Sequence, residues 1–172
     1  MDPITLLHDE HEIILDAIRI AKELRKHTGN GGLYEQKVSA LIAFFREYAD
    51  KYHHYKEEEV LFPEMVKANE LLESGVIQEM FENHEDFRAL IREIEQLTKD
   101  KKHEDAQNKL EQYVEALTDH IAVENEEVFE IARSLFSDIE MEKIFFRFMD
   151  LDADLGDKRK LELKAQLAVI GS

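Results

Sequence analysis

Cysteine is absent from the 172-residue chain. Without a thiol, the chain can form no disulfide, zinc–thiolate site, iron–sulfur cluster or catalytic cysteine. Long apolar runs are missing too, and the first residues lack the basic segment and apolar core of a signal peptide. We therefore expect a protein of the cytoplasm that is not anchored in a membrane.

Positive charge is scarce. Lys and Arg number 22 against 39 Asp and Glu, which gives a formal net charge of −17. Such a surface repels nucleic acids and anionic membranes, so we expect neither as a partner. The same surface is compatible with a protein that attracts cations.

Glycine and proline are also few, at six and two residues, and they mark breaks in the pattern. Between the breaks, apolar residues recur at steps of three and four, which is the helical period. This spacing predicts helices over 3–27, 34–68, 76–98 and 103–133. A fifth helical region, split near the sequence DLDADLG, is predicted over 138–170. Pro63 falls inside the second helix, where we expect a kink and not an end.

The predicted fold is all-α. Four helices with short connections are typical of an antiparallel up-down-up-down bundle, which we assign to residues 1–134. Residues 135–172 would form a C-terminal helical extension that packs on the bundle or makes a dimer contact. The chain would accordingly be a monomer or a homodimer.

Each of the four predicted bundle helices carries a histidine in its apolar stripe, and two of them add a glutamate one turn later. In the first helix His11 occupies the stripe, while His8 lies one turn earlier on its flank. The stripe residues of the other helices are His53 with Glu57, His84, and His120 with Glu124.

The stretch HHYKEEEVLF contains a histidine doublet and a glutamate triplet, and only some of these residues can lie on the buried face of a helix. Helical periodicity places His53 and Glu57 on the buried face. It places His54 and Glu58 on the same face as Arg46, Glu47 and Asp50, so we expect them to point to solvent.

Two buried carboxylates without compensation would cost on the order of several kcal/mol each. A bound cation removes that cost, so the pattern predicts a metal site. The set is too large for one tetrahedral zinc and too rich in nitrogen for magnesium or calcium. Imidazole with carboxylate suits iron, with manganese or zinc as alternatives. We expect two iron ions that share Glu57 and Glu124 and keep open positions for dioxygen, nitric oxide or peroxide.

The stretches LLHDEHEIILDAI, HHYKEEEVLFPEM, MFENHEDFRALI and DHIAVENEEVFEIA resemble the four helices of the hemerythrin-like, or HHE cation-binding, family. The resemblance covers about residues 3–134 and implies an antiparallel four-helix bundle around a non-haem di-iron centre. The ligands it implies are one histidine of the first helix (His8, His11 or both), His53, Glu57, His84, His120 and Glu124. Oxygen carriers of the family place a fifth histidine one turn after the ligand of the third helix, and here that position is Arg88.

Three functions are compatible with these residues. The first is a binding protein that reversibly holds or senses dioxygen or nitric oxide, or that senses iron or redox state. The second is a di-iron enzyme acting on peroxide or nitric oxide, or an iron donor for the repair of damaged iron–sulfur clusters. The third is a structural site whose metal only holds the helices together. Whether the chain is an enzyme stays open.

Overall fold

A computed structural model describes residues 2–171, and every regular element within that range is helical. The all-α prediction is therefore confirmed. None of the helices in the described range combines the length and the apolar character that crossing a membrane requires.

Residues 2–171 form six helices, which we number α1 to α6. The single-segment helices are α1 (Pro3–Glu23), α3 (Val76–Lys99), α5 (Asp138–Leu155) and α6 (Asp157–Ile170). The remaining two, α2 (residues 31–68) and α4 (residues 103–135), change their winding along their length. Short 3₁₀ turns, Leu24–His27 and Glu70–Leu72, follow α1 and α2.

The two composite helices contain π-helical turns. In α2, the α-helical part Gly31–Phe44 passes into π-helical segments at Phe45–His54 and Glu57–Leu61, and then into the α-helical part Phe62–Ala68. In α4, a π-helical segment Glu124–Val128 separates His103–Val123 from Phe129–Leu135. A π turn closes i→i+5 hydrogen bonds, so it is wider than an α turn and shifts the faces of the residues after it.

Local signals fix the helix ends. The Asp2 carboxylate accepts a hydrogen bond from the Ile4 amide at 3.0 Å, and Pro3 begins α1. Ser137 and Glu140 form a capping box at the start of α5. Gly156 has a φ of 76° and separates α5 from α6, because that backbone conformation favours glycine.

The apolar core consists of two clusters. The first contains residues such as Ile14, Phe45 and Leu117, and the second contains residues such as Leu7, Phe62 and Val128. Buried polar side chains lie between these clusters in sequence on all four of α1 to α4. The order of the clusters alternates: α1 and α3 pass from the second cluster to the first, and α2 and α4 pass the other way. The polar residues thus form a layer that each helix crosses once.

The last two helices pack on this core. Ile144 and Phe148 of α5 belong to the second cluster, while Leu163, Leu167 and Ile170 of α6 belong to the first. The Arg159 guanidinium of α6 also donates two 2.7 Å hydrogen bonds to the Glu47 carboxylate of α2. Both halves of the C-terminal extension therefore cover the other helices.

Candidate metal centre

Six of the side chains singled out from the sequence converge in the polar layer. Each is at most 2% exposed: His11, His53, Glu57, His84, His120 and Glu124. Their ligand atoms fall into two groups, and within each group the atoms lie within 4.8 Å of one another. The first group contains His11, His53, Glu57 and Glu124, and the second contains His84, His120 and a further histidine, His54.

Each carboxylate reaches a histidine of both groups, with one oxygen toward each. Glu57 Oε1 lies 3.4 Å from His53 Nε2, and its Oε2 lies 3.7 Å from His84 Nε2. Glu124 Oε2 lies 3.1 Å from His11 Nε2, and its Oε1 lies 3.1 Å from His120 Nε2. The two carboxylates therefore stand between the two groups of imidazoles.

In the four histidines that face these carboxylates, the other ring nitrogen is held by a neighbouring side chain. His11 Nδ1 is 2.8 Å from Asn125 Oδ1, and His53 Nδ1 is 2.8 Å from Glu10 Oε2. Likewise, His84 Nδ1 is 2.7 Å from Glu58 Oε1, and His120 Nδ1 is 3.3 Å from the Asn83 amide nitrogen. Hydrogen bonds donated by Nδ1, as in His11, His53 and His84, fix the ring orientation and the tautomer of metal-binding histidines, whereas His120 Nδ1 accepts from the Asn83 amide.

These contacts determine where the imidazole protons are. A carboxylate or an amide oxygen only accepts, so His11, His53 and His84 carry their proton on Nδ1 and turn the Nε2 lone pair inward. Burial, together with neighbouring histidines, lowers the pKa of His53 well below its usual value and that of His84 to about 3. These two rings are accordingly neutral at pH 7, as metal ligation requires.

The two carboxyls face each other at the centre and influence one another. Burial and the adjacent Glu124 raise the pKa of Glu57 well above its usual value. Burial would also raise the pKa of Glu124, but contacts with His120 and His11 outweigh it and lower that pKa. Without a cation, the pair therefore tends to retain one proton.

His54 is the one histidine that the sequence analysis placed wrongly. It was predicted to face solvent, but it is 2% exposed, and its ring stacks on His84 with centroids 3.9 Å apart. The cause is the π-helical winding of Phe45–His54, which the 3.6-residue period does not describe. Both members of the His53–His54 doublet consequently enter the polar layer.

Glu58 was also expected to be solvated, and this prediction is wrong. It accepts hydrogen bonds from His84 Nδ1 at 2.7 Å and from Arg88 Nη2 at 2.8 Å. Arg88 also donates to Asp50, with a shortest distance of 2.7 Å. Arg88, which stands where oxygen carriers have a fifth histidine, thus orients the carboxylate that holds His84.

His8 remains outside both ligand groups. It is half-buried, and its ring packs edge-on against Phe129 at 5.2 Å and against His11 at 6.5 Å. Of the two histidines considered in the first helix, the structure brings His11 to the cluster.

A buried lysine connects the cluster with the C-terminal extension. Lys56 is 0% exposed and pairs with Glu10, the carboxylate that holds His53. On its other side, Lys56 Nζ lies 3.1 Å from Asp152 Oδ1 of α5 and 3.3 Å from the ring centroid of Tyr52. This ion-pair chain runs from α5 through α2 and α1 to His53.

Apart from Glu58, which was expected to face solvent, the residues that contact the histidine Nδ1 atoms were not singled out from the sequence. One signal was available for Glu10, because it lies three residues after Leu7 and four before Ile14, both on the apolar stripe. For Asn83 and Asn125, which precede or follow a ligand by one residue, periodicity offered no signal.

The arrangement fits metal ions. His11 Nε2, His53 Nε2 and all four oxygens of Glu57 and Glu124 are buried and have no hydrogen-bond partner among residues 2–171. An imidazole lone pair and a carboxylate that face each other repel unless a proton or a cation lies between the two groups. Three or four nitrogen and oxygen ligands converge in each group, which suits a transition metal.

A family model of the hemerythrin HHE cation-binding domain matches residues 2–132. The chain belongs to this family, and the match covers α1 to α3 and nearly all of α4. A comparison with curated proteins finds no match, and neither does a comparison with solved structures. Family membership and the two ligand groups together define a metal-binding protein.

Proposed function

We propose that the protein holds two iron ions in the two ligand groups and reversibly binds or senses dioxygen or nitric oxide there. Iron in such a centre supplies reversible binding of a small diatomic ligand and a change of oxidation state. His11 and His53 would hold one ion, and His54, His84 and His120 the other. Glu57 and Glu124 would bridge them. Manganese and zinc remain the alternatives for the metal.

The observation that carries this proposal is the position of the carboxylate oxygens. Glu57 and Glu124 each direct one oxygen to the first group and the other oxygen to the second. One metal ion would use each carboxylate from one side only. Two ions would take ligands from both oxygens of each carboxylate, and their charge would offset the cost of the polar layer, which is on the order of several kcal/mol per buried charge.

Inclusion of His54 gives five histidines, three on one side and two on the other. The third histidine of the larger group then comes from the π-helical part of α2, next to His53, and not from α3. A nitrogen-rich set of this kind favours reversible binding or redox change over chemistry that needs many carboxylates.

We also propose the up-down-up-down arrangement for α1 to α4. The alternating order in which these helices pass through the two core clusters supports it, because antiparallel neighbours meet the clusters in opposite order. Within this proposal residues 1–134 form the bundle, and residues 135–172 form an extension packed upon it. The cytoplasm remains the predicted location.

The test begins with metal content. Protein purified without chelators should contain two iron ions per chain, and its visible spectrum should change reversibly when dioxygen or nitric oxide is added and removed. His54→Gln should lower the metal content, because it removes one imidazole of the three-histidine group. His103→Gln is the matched control, since His103 pairs with Glu35 and belongs to neither group.

Other outcomes would replace this proposal. Consumption of peroxide or nitric oxide with a reductant, over many turnovers, would indicate the enzymatic alternative. Transfer of iron to an apo iron–sulfur protein would indicate an iron donor. One zinc ion per chain and no visible absorption would mean a structural metal site.

A further inference from the structure

A cavity of about 430 Å³ opens between α2, α3 and α4 beside the three-histidine group. A water molecule occupies roughly 30 Å³ of liquid volume, and a diatomic gas needs little more. The cavity is therefore about ten times larger than a gas path requires, and its volume falls in the range of sites for small organic molecules, roughly 300–1,000 Å³.

Aromatic and aliphatic side chains form its walls. They include Phe45, Phe87, Ile91 and Tyr113. The Phe45 and Tyr113 rings lie edge to face at 5.0 Å, as do Phe87 and Tyr113 at 5.7 Å. Walls of this kind favour a ligand with a flat apolar body, because aromatic rings pair by stacking or edge contacts.

One polar atom on the cavity lining lacks a hydrogen-bond partner, and a second polar group contributes to the same lining. His54 Nδ1 is buried without a hydrogen bond, since the nearest acidic oxygen, Asp50 Oδ1, is 3.7 Å away. The Tyr113 hydroxyl belongs to a residue that lines the same cavity and is only 2% exposed. A ligand hydroxyl could satisfy the buried His54 nitrogen.

The more exposed part of the cavity lining is charged. Three arginines and two acidic residues contribute to the lining: Arg46, Arg88, Arg92, Asp50 and Glu95. Arg46 pairs with Glu95 at 3.3 Å, and Arg88 pairs with Asp50 at 2.7 Å. Arg88 also pairs with Glu58 at 2.8 Å and with Glu85 at 2.6 Å, both just outside the lining. Within the described part of the chain, Arg92 is exposed and has no ion-pair partner, so its guanidinium is available to an anion.

We propose that this cavity is a binding site for a small aromatic carboxylate that carries a polar substituent opposite its carboxylate. The carboxylate meets Arg92, the ring lies among Phe45, Phe87 and Tyr113, and the substituent reaches Tyr113 and His54. The site places an organic ligand against the outer side of the three-histidine group. It depends on protein side chains alone and therefore not on the identity of the metal.

The probe is 4-hydroxybenzoate, and the measurement is isothermal titration calorimetry on the protein as purified. We expect saturable one-to-one binding with a Kd below about 1 mM. The neutral isostere 4-hydroxybenzamide should bind at least about tenfold more weakly, because it forms no charge-assisted pair with Arg92.

Two variants should change the affinity in opposite directions. Arg92→Gln should weaken binding of 4-hydroxybenzoate about tenfold and leave binding of the amide unchanged. Glu95→Gln should strengthen binding of the acid, because it removes a negative charge and releases Arg46. Arg19→Gln is the control: Arg19 is 70% exposed in α1 and does not line the cavity.

All three altered side chains are at least partly exposed, so the variants should fold, and circular dichroism checks this. Absence of saturable binding of the acid would overturn the proposal. So would equal affinity in Arg92→Gln and wild type, or no preference for the acid over the amide. If the purified wild-type protein contained no metal but still bound 4-hydroxybenzoate, the proposed function would be contradicted and this binding site would stand.

Discussion

Replacement of Lys56 tests whether buried ion pairs next to the metal centre stabilise the fold and hold the ligand His53. Its ammonium is completely buried and lies between the carboxylates of Glu10 and Asp152. Glu10 is itself only 3% exposed and holds His53 at 2.8 Å. Lys56→Met keeps most of the side-chain volume but leaves the Glu10 carboxylate without its cation.

The expected cost follows from burial. Removing one partner of a buried ion pair typically destabilises by about 3–5 kcal/mol, because the other charge remains without compensation. A domain of this size is stable by about 5–15 kcal/mol in total, so the loss should be a large fraction of the free energy of unfolding. Replacing both partners, in Glu10→Gln/Lys56→Met, leaves no such charge and should restore at least about 2 kcal/mol.

Urea unfolding followed by circular dichroism measures these differences. The matched control is Lys67→Met: Lys67 is 79% exposed and lies 3.8 Å from Glu64 in an i,i+3 pair. An exposed pair of this kind contributes less than about 1 kcal/mol. Metal-loaded Lys56→Met should also release its metal faster than wild type, because Glu10 no longer has its second anchor.

Two results would refute this reasoning. A loss below about 1 kcal/mol in Lys56→Met would mean that the Glu10 charge is not confined as the burial indicates. A double variant as unstable as the single one would mean that Lys56 acts through packing and not through its pairing with Glu10.

Three further predictions concern other parts of the molecule. Glu57→Gln should abolish tight metal binding yet change the stability of the metal-free protein little, because burial and Glu124 raise the Glu57 pKa and so favour the neutral carboxyl that glutamine resembles. Metal titration and thermal unfolding test this, with exposed Glu59→Gln as control. Removal of metal by a chelator should lower the midpoint of thermal unfolding. The lost stabilisation is about 3–4 kcal/mol if the free metal had exceeded its Kd by 100- to 1,000-fold. An unchanged midpoint would contradict a metal in the core. Arg159→Gln should lower the free energy of unfolding by less than about 1 kcal/mol. Because hydrogen bonds from Arg159 lower the Glu47 pKa from 4.5, the stability difference between wild type and variant should be present above that pH and vanish as the pH falls below it. A stability difference that persists in acid would argue against the ion pair.

The helical period was sufficient to predict most of the architecture. It gave the starts of α1, α3 and α4 to the residue, and the division of the C-terminal region near Gly156. It succeeded because apolar stripes are a direct consequence of one-sided burial. The start of α2 was predicted three residues late, since two glycines begin that helix and offer no stripe.

The same period failed where the helix is not an α-helix. His54 lies at the end of a ten-residue π segment, so the angle between successive side chains differs from the one that periodicity assumes. Glu58 follows in a second π segment and turns toward His84 for the same reason. Periodicity also could not predict the pairing of Lys56 with Asp152, because this ion pair joins residues 96 positions apart and depends on how α5 packs.

The two His-x-x-x-Glu segments share more than their spacing. In each, the π-helical turn begins at the glutamate itself, at Glu57 and at Glu124. A phenylalanine follows five residues later and packs its ring on a histidine of another helix: Phe62 on His84 at 6.1 Å and Phe129 on His11 at 5.4 Å.

A wide turn at that point has a physical consequence. It moves the residues after the glutamate relative to those before it, so the carboxylate can enter the polar layer while the phenylalanine one turn later still reaches the core. An uninterrupted α-helix would fix both directions by the 3.6-residue period. The carboxylates that stand between the two histidine groups are thus positioned by the same local irregularity in both halves. Disturbing either turn should change the metal centre before it changes the fold.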